Sequence, residues 1–323
     1  MSMPPHQPPV LAIQVGNTRI KLGLFKSGDP EEVVFVARED LAAAIEAATR
    51  LFELIGAEPD AAVLVADVDR ATGDALVATL RDQLACEVYR VPQDMPVPIG
   101  TCLAAGAKPG VDRLLNAAAA YDRLRQACIV IDAGTCITVD FIDGEGVFHG
   151  GAIAPGIRMQ LKALHEHTAA LPAIDFSVPE GTAWGADTRE AMVRGVYHGA
   201  RGLAWRLIEK YAEQYGGFPI VIATGGDAAT LFADDELVNQ VVPDLVLRGM
   251  AIAARCALEP EESETEDGRG ARFGALSGGF DTEDGSAGGS DAGSAAARPR
   301  PGTRGRRSGL ESGLAGGFES DDE

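Results

Sequence analysis

The sequence predicts an α/β protein of two duplicated lobes around a cleft, followed by a disordered low-complexity acidic tail. Three observations carry this. A run of strand-like hairpins followed by helices occurs twice. The turns that open the two halves can be laid over each other: Ile13-Gln14-Val15-Gly16-Asn17-Thr18 matches Ile131-Asp132-Ala133-Gly134-Thr135-Cys136 in apolar register and glycine position. Composition then changes abruptly near Glu259, where large apolar residues become rare. A repeat separated by about a domain's length suggests duplicated lobes.

Taken in order, residues 10–15 form a short apolar strand and Gly16-Asn17 a turn. Residues 19–25 alternate apolar with polar or small, as a returning strand does, and 33–36 form a third strand. The spacing predicts a helix over 41–55, a strand over 61–66, a helix over 71–84, a strand over 87–91 and a helix over 110–125. The pattern restarts with a strand at 128–133, the turn Gly134-Thr135, and strands at 136–142 and 148–153. Helices at 157–170 and 187–215, a strand at 220–223, a short helix after Thr224-Gly225-Gly226-Asp227 and a helix at 245–257 complete the body. The divisions expected are a disordered N-terminus at 1–9, lobes at 10–127 and 128–258, and a tail at 259–323.

The chain of 323 residues is 46% hydrophobic, enough for a sizeable core, and carries a net charge of −20. The tail's 15 acids and 7 arginines leave the body acidic as well, which argues against nucleic-acid or membrane partners. No apolar run reaches the ~20 residues that a membrane span needs, and no signal peptide is read, so a cytoplasmic location is expected. Cys86, Cys102, Cys128, Cys136 and Cys256 show no CxxC spacing; most lie in apolar runs and are expected as buried thiols.

The loops carry the chemistry. A glycine followed by small polar residues lets the backbone approach a phosphate and adds hydroxyl donors. Gly16-Asn17-Thr18 and Gly134-Thr135 would each hold one end of a polyphosphate between lobes, although either alone reads equally as a hairpin turn. With Thr224-Gly225-Gly226-Asp227 after a later strand, the set fits a ligand cleft at strand ends. A kinase acting on a hydroxyl needs a carboxylate to orient or deprotonate it. Asp112 in Gly110-Val111-Asp112-Arg113 is the candidate, its local alternative being complementation of a helix N-terminus.

These segments, with Asp132-Ala133-Gly134-Thr135-Cys136-Ile137-Thr138-Val139-Asp140 and Gly150-Gly151-Ala152-Ile153-Ala154-Pro155-Gly156, resemble the type III pantothenate kinases in order and spacing over residues 10–257. The resemblance implies duplicated actin-like (ribonuclease H-like) lobes with an ATP cleft between them. It implies ATP-dependent phosphorylation of pantothenate to 4'-phosphopantothenate, the first step of coenzyme A biosynthesis, with magnesium, a monovalent cation (potassium or ammonium) and a homodimer. It carries the catalytic base onto Asp112, pantothenate contacts onto Gly110, Val111, Asp112, Arg113 and Thr188, and the monovalent cation onto Asp132. ATP contacts fall on Gln14, Val15, Gly16, Asn17, Thr18, Arg19, Ile20, Lys21 and Thr135. Two positions depart from the pattern. Gln14 stands where the family has Asp, and a hard cation prefers carboxylate oxygen. Leu103 or its neighbours stand where many members have Tyr. A catalytically weakened binding or regulatory protein is the alternative these departures raise.

Other residues take structural readings: His165 and His167 point to different sides of a helix, and His149 lies at a strand end. Trp184 and Trp205 are expected to pack, and Arg201 and Arg206 to form a solvated helix face. In the tail, Leu276-Ser277-Gly278-Gly279-Phe280-Asp281-Thr282-Glu283-Asp284 recurs as Leu314-Ala315-Gly316-Gly317-Phe318-Glu319-Ser320-Asp321-Asp322, which suggests paired docking motifs for a protein partner.

Overall fold

The computed structural model describes residues 8–258 except 57, 59, 60 and 85. Of the expected disordered N-terminus at 1–9, residues 1–7 lie outside the described residues, as do the tail and its repeated motif, while Pro9 is buried and accepts from the Ala62 N–H at 3.1 Å.

The apolar stretches pair into two sheets. The first contains β1 (Val10–Val15), β2 (Arg19–Ser27), β3 (Asp29–Ala37), β4 (Ala62–Asp67) and β5 (Val88–Val91) in the order β3-β2-β1-β4-β5. β1 is buried throughout, as a central strand flanked on both sides must be. It runs antiparallel to β2 and parallel to β4, and the register sets Gln14 opposite Lys21. The second sheet contains β6 (Gly100–Thr101), β7 (Cys128–Ala133), β8 (Cys136–Ile142), β9 (Val147–Pro155), β10 (Ile220–Thr224) and β11 (Gln240–Val241). Its order β11-β10-β7-β8-β9-β6 contains the first sheet's pattern reversed in listing: a central strand, two antiparallel neighbours on one side and two parallel ones on the other. The duplication is therefore topological as well as sequential, and the fold is the duplicated actin-like one. Gln14 and Asp132 are each the fifth residue of a central strand.

Helices α1 (Leu41–Glu53) and α2 (Arg70–Gln83) cover one face of the first sheet. Helices α4 (Ile157–Glu166), α5 (Thr188–Tyr215) and α6 (Ala228–Phe232) cover one face of the second. The layer between the lobes is α3 (Val111–Leu124) and α7 (Leu245–Leu258). Ala117, Ala119 and Ala120 of α3 pack on Cys128, Val130 and Ile222, while Val246, Leu247 and Met250 of α7 pack on Val10, Ala12 and Leu64 of the first sheet. The two helices approach each other closely at a glycine. A Cβ on Gly249 of α7 would stand 2.2 Å from the Leu115 carbonyl oxygen of α3. Thus β6 and α3, although they precede residue 128, pack with the second sheet, and α7 returns to the first.

Local chemistry sets the ends of the elements. Asp187 caps α5 by accepting from the Glu190 N–H at 2.8 Å, and Glu190 Oε2 reaches back to the Ala186 N–H at 2.9 Å. α4 ends at Glu166 rather than at 170, where Thr168 turns its hydroxyl onto the Leu164 carbonyl. The cysteines depart from expectation: only Cys128 is buried, while Cys86 and Cys136 are partly covered and Cys102 and Cys256 are exposed. Among the described residues no helix is long and apolar enough to cross a membrane.

Candidate active site

The two related turns meet. Gly16 closes its turn by donating its N–H to the Arg19 carbonyl at 2.9 Å, and Gly134 does the same to the Cys136 carbonyl at 2.9 Å. Both glycine N–H groups are thereby occupied within their own turns. Thr18 Oγ1 and Thr135 Oγ1 lie 2.8 Å apart, joining the lobes, and both residues are exposed. The third loop joins them. Gly225 has φ +98°, and a Cβ there would stand 2.4 Å from the Ala133 carbonyl and 2.5 Å from Asp132 Oδ1. Only glycine fits this conformation and this approach. Beyond it, the Asp227 N–H donates to the Ala133 carbonyl at 2.9 Å, and Arg158 Nη1 donates to the Asp227 carboxylate at 2.7 and 2.8 Å. Arg19 Nη1 reaches to 3.7 Å from where a Cβ on Gly226 would be.

Beneath the turns lies a group of carboxylates. Asp112 is half-buried in the first turn of α3, and its Oδ1 accepts from the Arg113 N–H at 2.9 Å. Among the described residues no hydrogen bond reaches its Oδ2. Arg113 turns its guanidinium onto buried Asp140: Nε donates to Oδ2 at 3.0 Å, and Nη2 bonds Oδ1. Asp140 holds the guanidinium charged, while burial raises the Asp140 carboxyl and Arg113 pulls it back. Asp132 Oδ2 accepts from Asn116 Nδ2 at 3.0 Å. Burial raises the Asp132 carboxyl above the ordinary range; Lys21 of the first lobe opposes this, and Asp112 adds to it. Asp112, Asp132, Lys21 and Arg113 therefore share one electrostatic neighbourhood.

Gln14 is buried, with its amide 3.3–3.5 Å from where a Cβ on Gly16 would stand. It thus lies under the first turn, without a charge. Val15 and Ile20 are core residues rather than surface contacts. Asn17 and Gly110 are exposed, and Val111 packs at the edge of the core beside Leu115. Thr188 is exposed in the first turn of α5, and the contacts that gather the other residues do not include it.

Asn116, Asp140 and Arg158 were not foreseen as parts of the site. Asn116 follows Asp112 by four residues, which sets both on one face of a helix, and that spacing was the available signal. Two other expectations fail. Trp184 is 73% exposed and does not pack. Arg201 is no solvated residue: it pairs with buried Asp235 at 2.9 Å and lies over the Tyr197 and Trp205 rings, while Trp205 donates from Nε1 to the same carboxylate. His149 stays at the surface, bonded to Asp143 at 2.7 Å.

Among the described residues, no three His, Cys, Asp or Glu side chains gather to hold a metal ion. A magnesium ion at this cleft would draw most of its ligands from phosphate and water, as it does in kinases. The donors fit a monovalent cation better. Asp132 supplies a carboxylate, and buried Asn116 Oδ1 beside it has no hydrogen-bond partner. Such an orphan costs about 1–3 kcal/mol.

The family model described as type III pantothenate kinase matches residues 10–210. A type III pantothenate kinase of Akkermansia muciniphila is 34% identical over 76% of this chain and 97% of its own length. One of Syntrophotalea carbinolica is 31% identical over 75% and 97%. One of Rhodospirillum rubrum is 42% identical over 163 residues, which span 63% of that relative. With the match running through both lobes, this chain belongs to the type III pantothenate kinase family.

Proposed function

We propose that this chain transfers a phosphoryl group from ATP to the hydroxyl of pantothenate, giving 4'-phosphopantothenate for coenzyme A biosynthesis. The observation that carries the reading is the open Oδ2 of Asp112, set beside facing turns whose Thr18 and Thr135 hydroxyls meet at 2.8 Å. Asp112 orients the substrate hydroxyl and takes its proton as oxygen bonds to the γ-phosphorus and the bond to ADP breaks. Thr18, Thr135 and Lys21 supply donors and positive charge to the phosphates, and Arg19 closes the mouth toward Gly226. Gly110, Val111, Arg113 and Thr188 are proposed to line the pantothenate side. Arg113 keeps Asp140 neutralised and so fixes the start of α3. Magnesium carried in with the nucleotide would supply positive charge to the transferring phosphate. Asp132 is proposed to hold potassium or ammonium. Assay of pantothenate-dependent ADP release with ATP, magnesium and potassium tests the reading.

One observation favours a second reading, a weakened binding or regulatory protein. Gln14 leaves the first turn without the negative charge that its counterpart Asp132 gives the second. Gln14→Asp decides between them: a large rate gain from an inert wild type supports the second. A homodimer, a cytoplasmic location and a protein partner for the motifs at Phe280 and Phe318 complete the proposal.

A further inference from the structure

We infer that the side-chain carbonyl of Asn116 is an oxygen ligand for the monovalent cation at Asp132; this deepens the cation assignment above and rests on it. Asn116 is 2% exposed in the second turn of α3. Its Nδ2 donates to Asp132 Oδ2 at 3.0 Å. An ionised carboxylate only accepts hydrogen bonds, so the amide must present its nitrogen to Asp132. That fixes the oxygen on the other side of the same amide, where it is buried and has no partner. Its neighbours on the same helix face, Ala119 and Ala120, are apolar, and Arg113 is committed to Asp140, so they give it no donor.

The charge balance points the same way. Asp112, Asp132 and Asp140 face one another electrostatically, against Lys21 and Arg113. Arg113 is committed to Asp140, and Lys21 makes no hydrogen bond to the Asn116 oxygen. Neither cation therefore satisfies the Asn116 oxygen. A weakly hydrated monovalent ion is the species that accepts neutral carbonyl oxygens together with a single carboxylate. A divalent ion would need more charged oxygen than the described residues gather here. Asn116 also lies four residues after Asp112 on one helix face, so a cation held there would brace the residue that receives the substrate proton.

Thermal melting of the purified full chain, without substrates, tests this. Potassium chloride is titrated against choline chloride at equal ionic strength. The wild type gains a potassium-specific rise in melting temperature. Asn116→Ala weakens the apparent potassium affinity by about tenfold or more. Asn116→Asp, which keeps the oxygen and adds charge, retains or strengthens the response. Circular dichroism reports whether each variant folds, and Asn116→Asp carries the test if Asn116→Ala does not. An unchanged potassium midpoint in Asn116→Ala overturns the inference, as does a wild type with no potassium-specific rise. Loss of the response in Asn116→Asp also overturns it, because a residue needed only to donate to Asp132 would fail that way. Potassium binding that depends on Asn116 without pantothenate turnover would instead sink the kinase reading and leave this one standing.

Discussion

Thr18 and Thr135 are 117 residues apart in sequence and share a hydrogen bond, Oγ1 to Oγ1 at 2.8 Å, across the two lobes. Each sits just past the glycine of an equivalent turn. The glycine N–H groups close those turns, and the exposed hydroxyls are the groups proposed to meet a polyphosphate. Thr135→Val should raise the KM for ATP by about 10–100-fold, the worth of a hydrogen bond to a charged group. Both threonines are exposed, so melting temperature should hold. ATP saturation curves for the folded variant check it, and an unchanged KM removes the hydroxyl from phosphate binding.

Arg113→Met should cost about 3–5 kcal/mol of stability, because it strands the buried Asp140 carboxylate. Denaturant unfolding measures this. Adding Asp140→Leu should recover most of the loss, since the uncompensated charge is then gone. A single variant as stable as wild type would show that the pair contributes little.

Gly225→Ala should abolish turnover. The positive φ and the 2.5 Å approach to Asp132 Oδ1 leave no room for a methyl group. The strain falls on the loop that joins Ala133 to Asp227, so nucleotide binding measured by calorimetry should fall with activity. Full ATP affinity in a folded variant would contradict the placement of this loop.

Cysteine reactivity should follow burial. Burial pushes the Cys128 thiol up to about 12, so it stays protonated through the ordinary alkylation range. Exposed Cys102 should be modified by iodoacetamide at pH 8 in the native protein while Cys128 is spared until unfolding. Peptide mass spectrometry reads both sites. Rapid native labelling of Cys128 would mean that β7 opens readily.

Much of this was legible in the chain because it is written in local patterns. β1 shows as an apolar run and β2 as alternation, and the repeat of Ile13-Gln14-Val15-Gly16 in Ile131-Asp132-Ala133-Gly134 shows the duplication. β6 and β11 were not legible, since two residues carry no period and only their partners β9 and β10 make them strands. Arg201 was misread for a related reason. Its helix position looks solvated, and Asp235, which buries it, is 34 residues away. The apolar runs around Cys102 and Cys256 likewise say nothing of which face they present. In the site, Asp112 and the three loops could be named from motif, but the pairing of Asn116 with Asp132 spans two elements and needs the fold.

In the proposed reaction Asp112 receives the proton of the pantothenate hydroxyl. A coupled assay of pantothenate-dependent ADP release, with ATP, magnesium and potassium, compares wild type with Asp112→Asn. Wild type should turn over, and Asp112→Asn should lose about 10²–10⁴-fold with its melting temperature unchanged. Near-normal turnover by folded Asp112→Asn, or no pantothenate-dependent ADP from either wild type or Gln14→Asp, would contradict it.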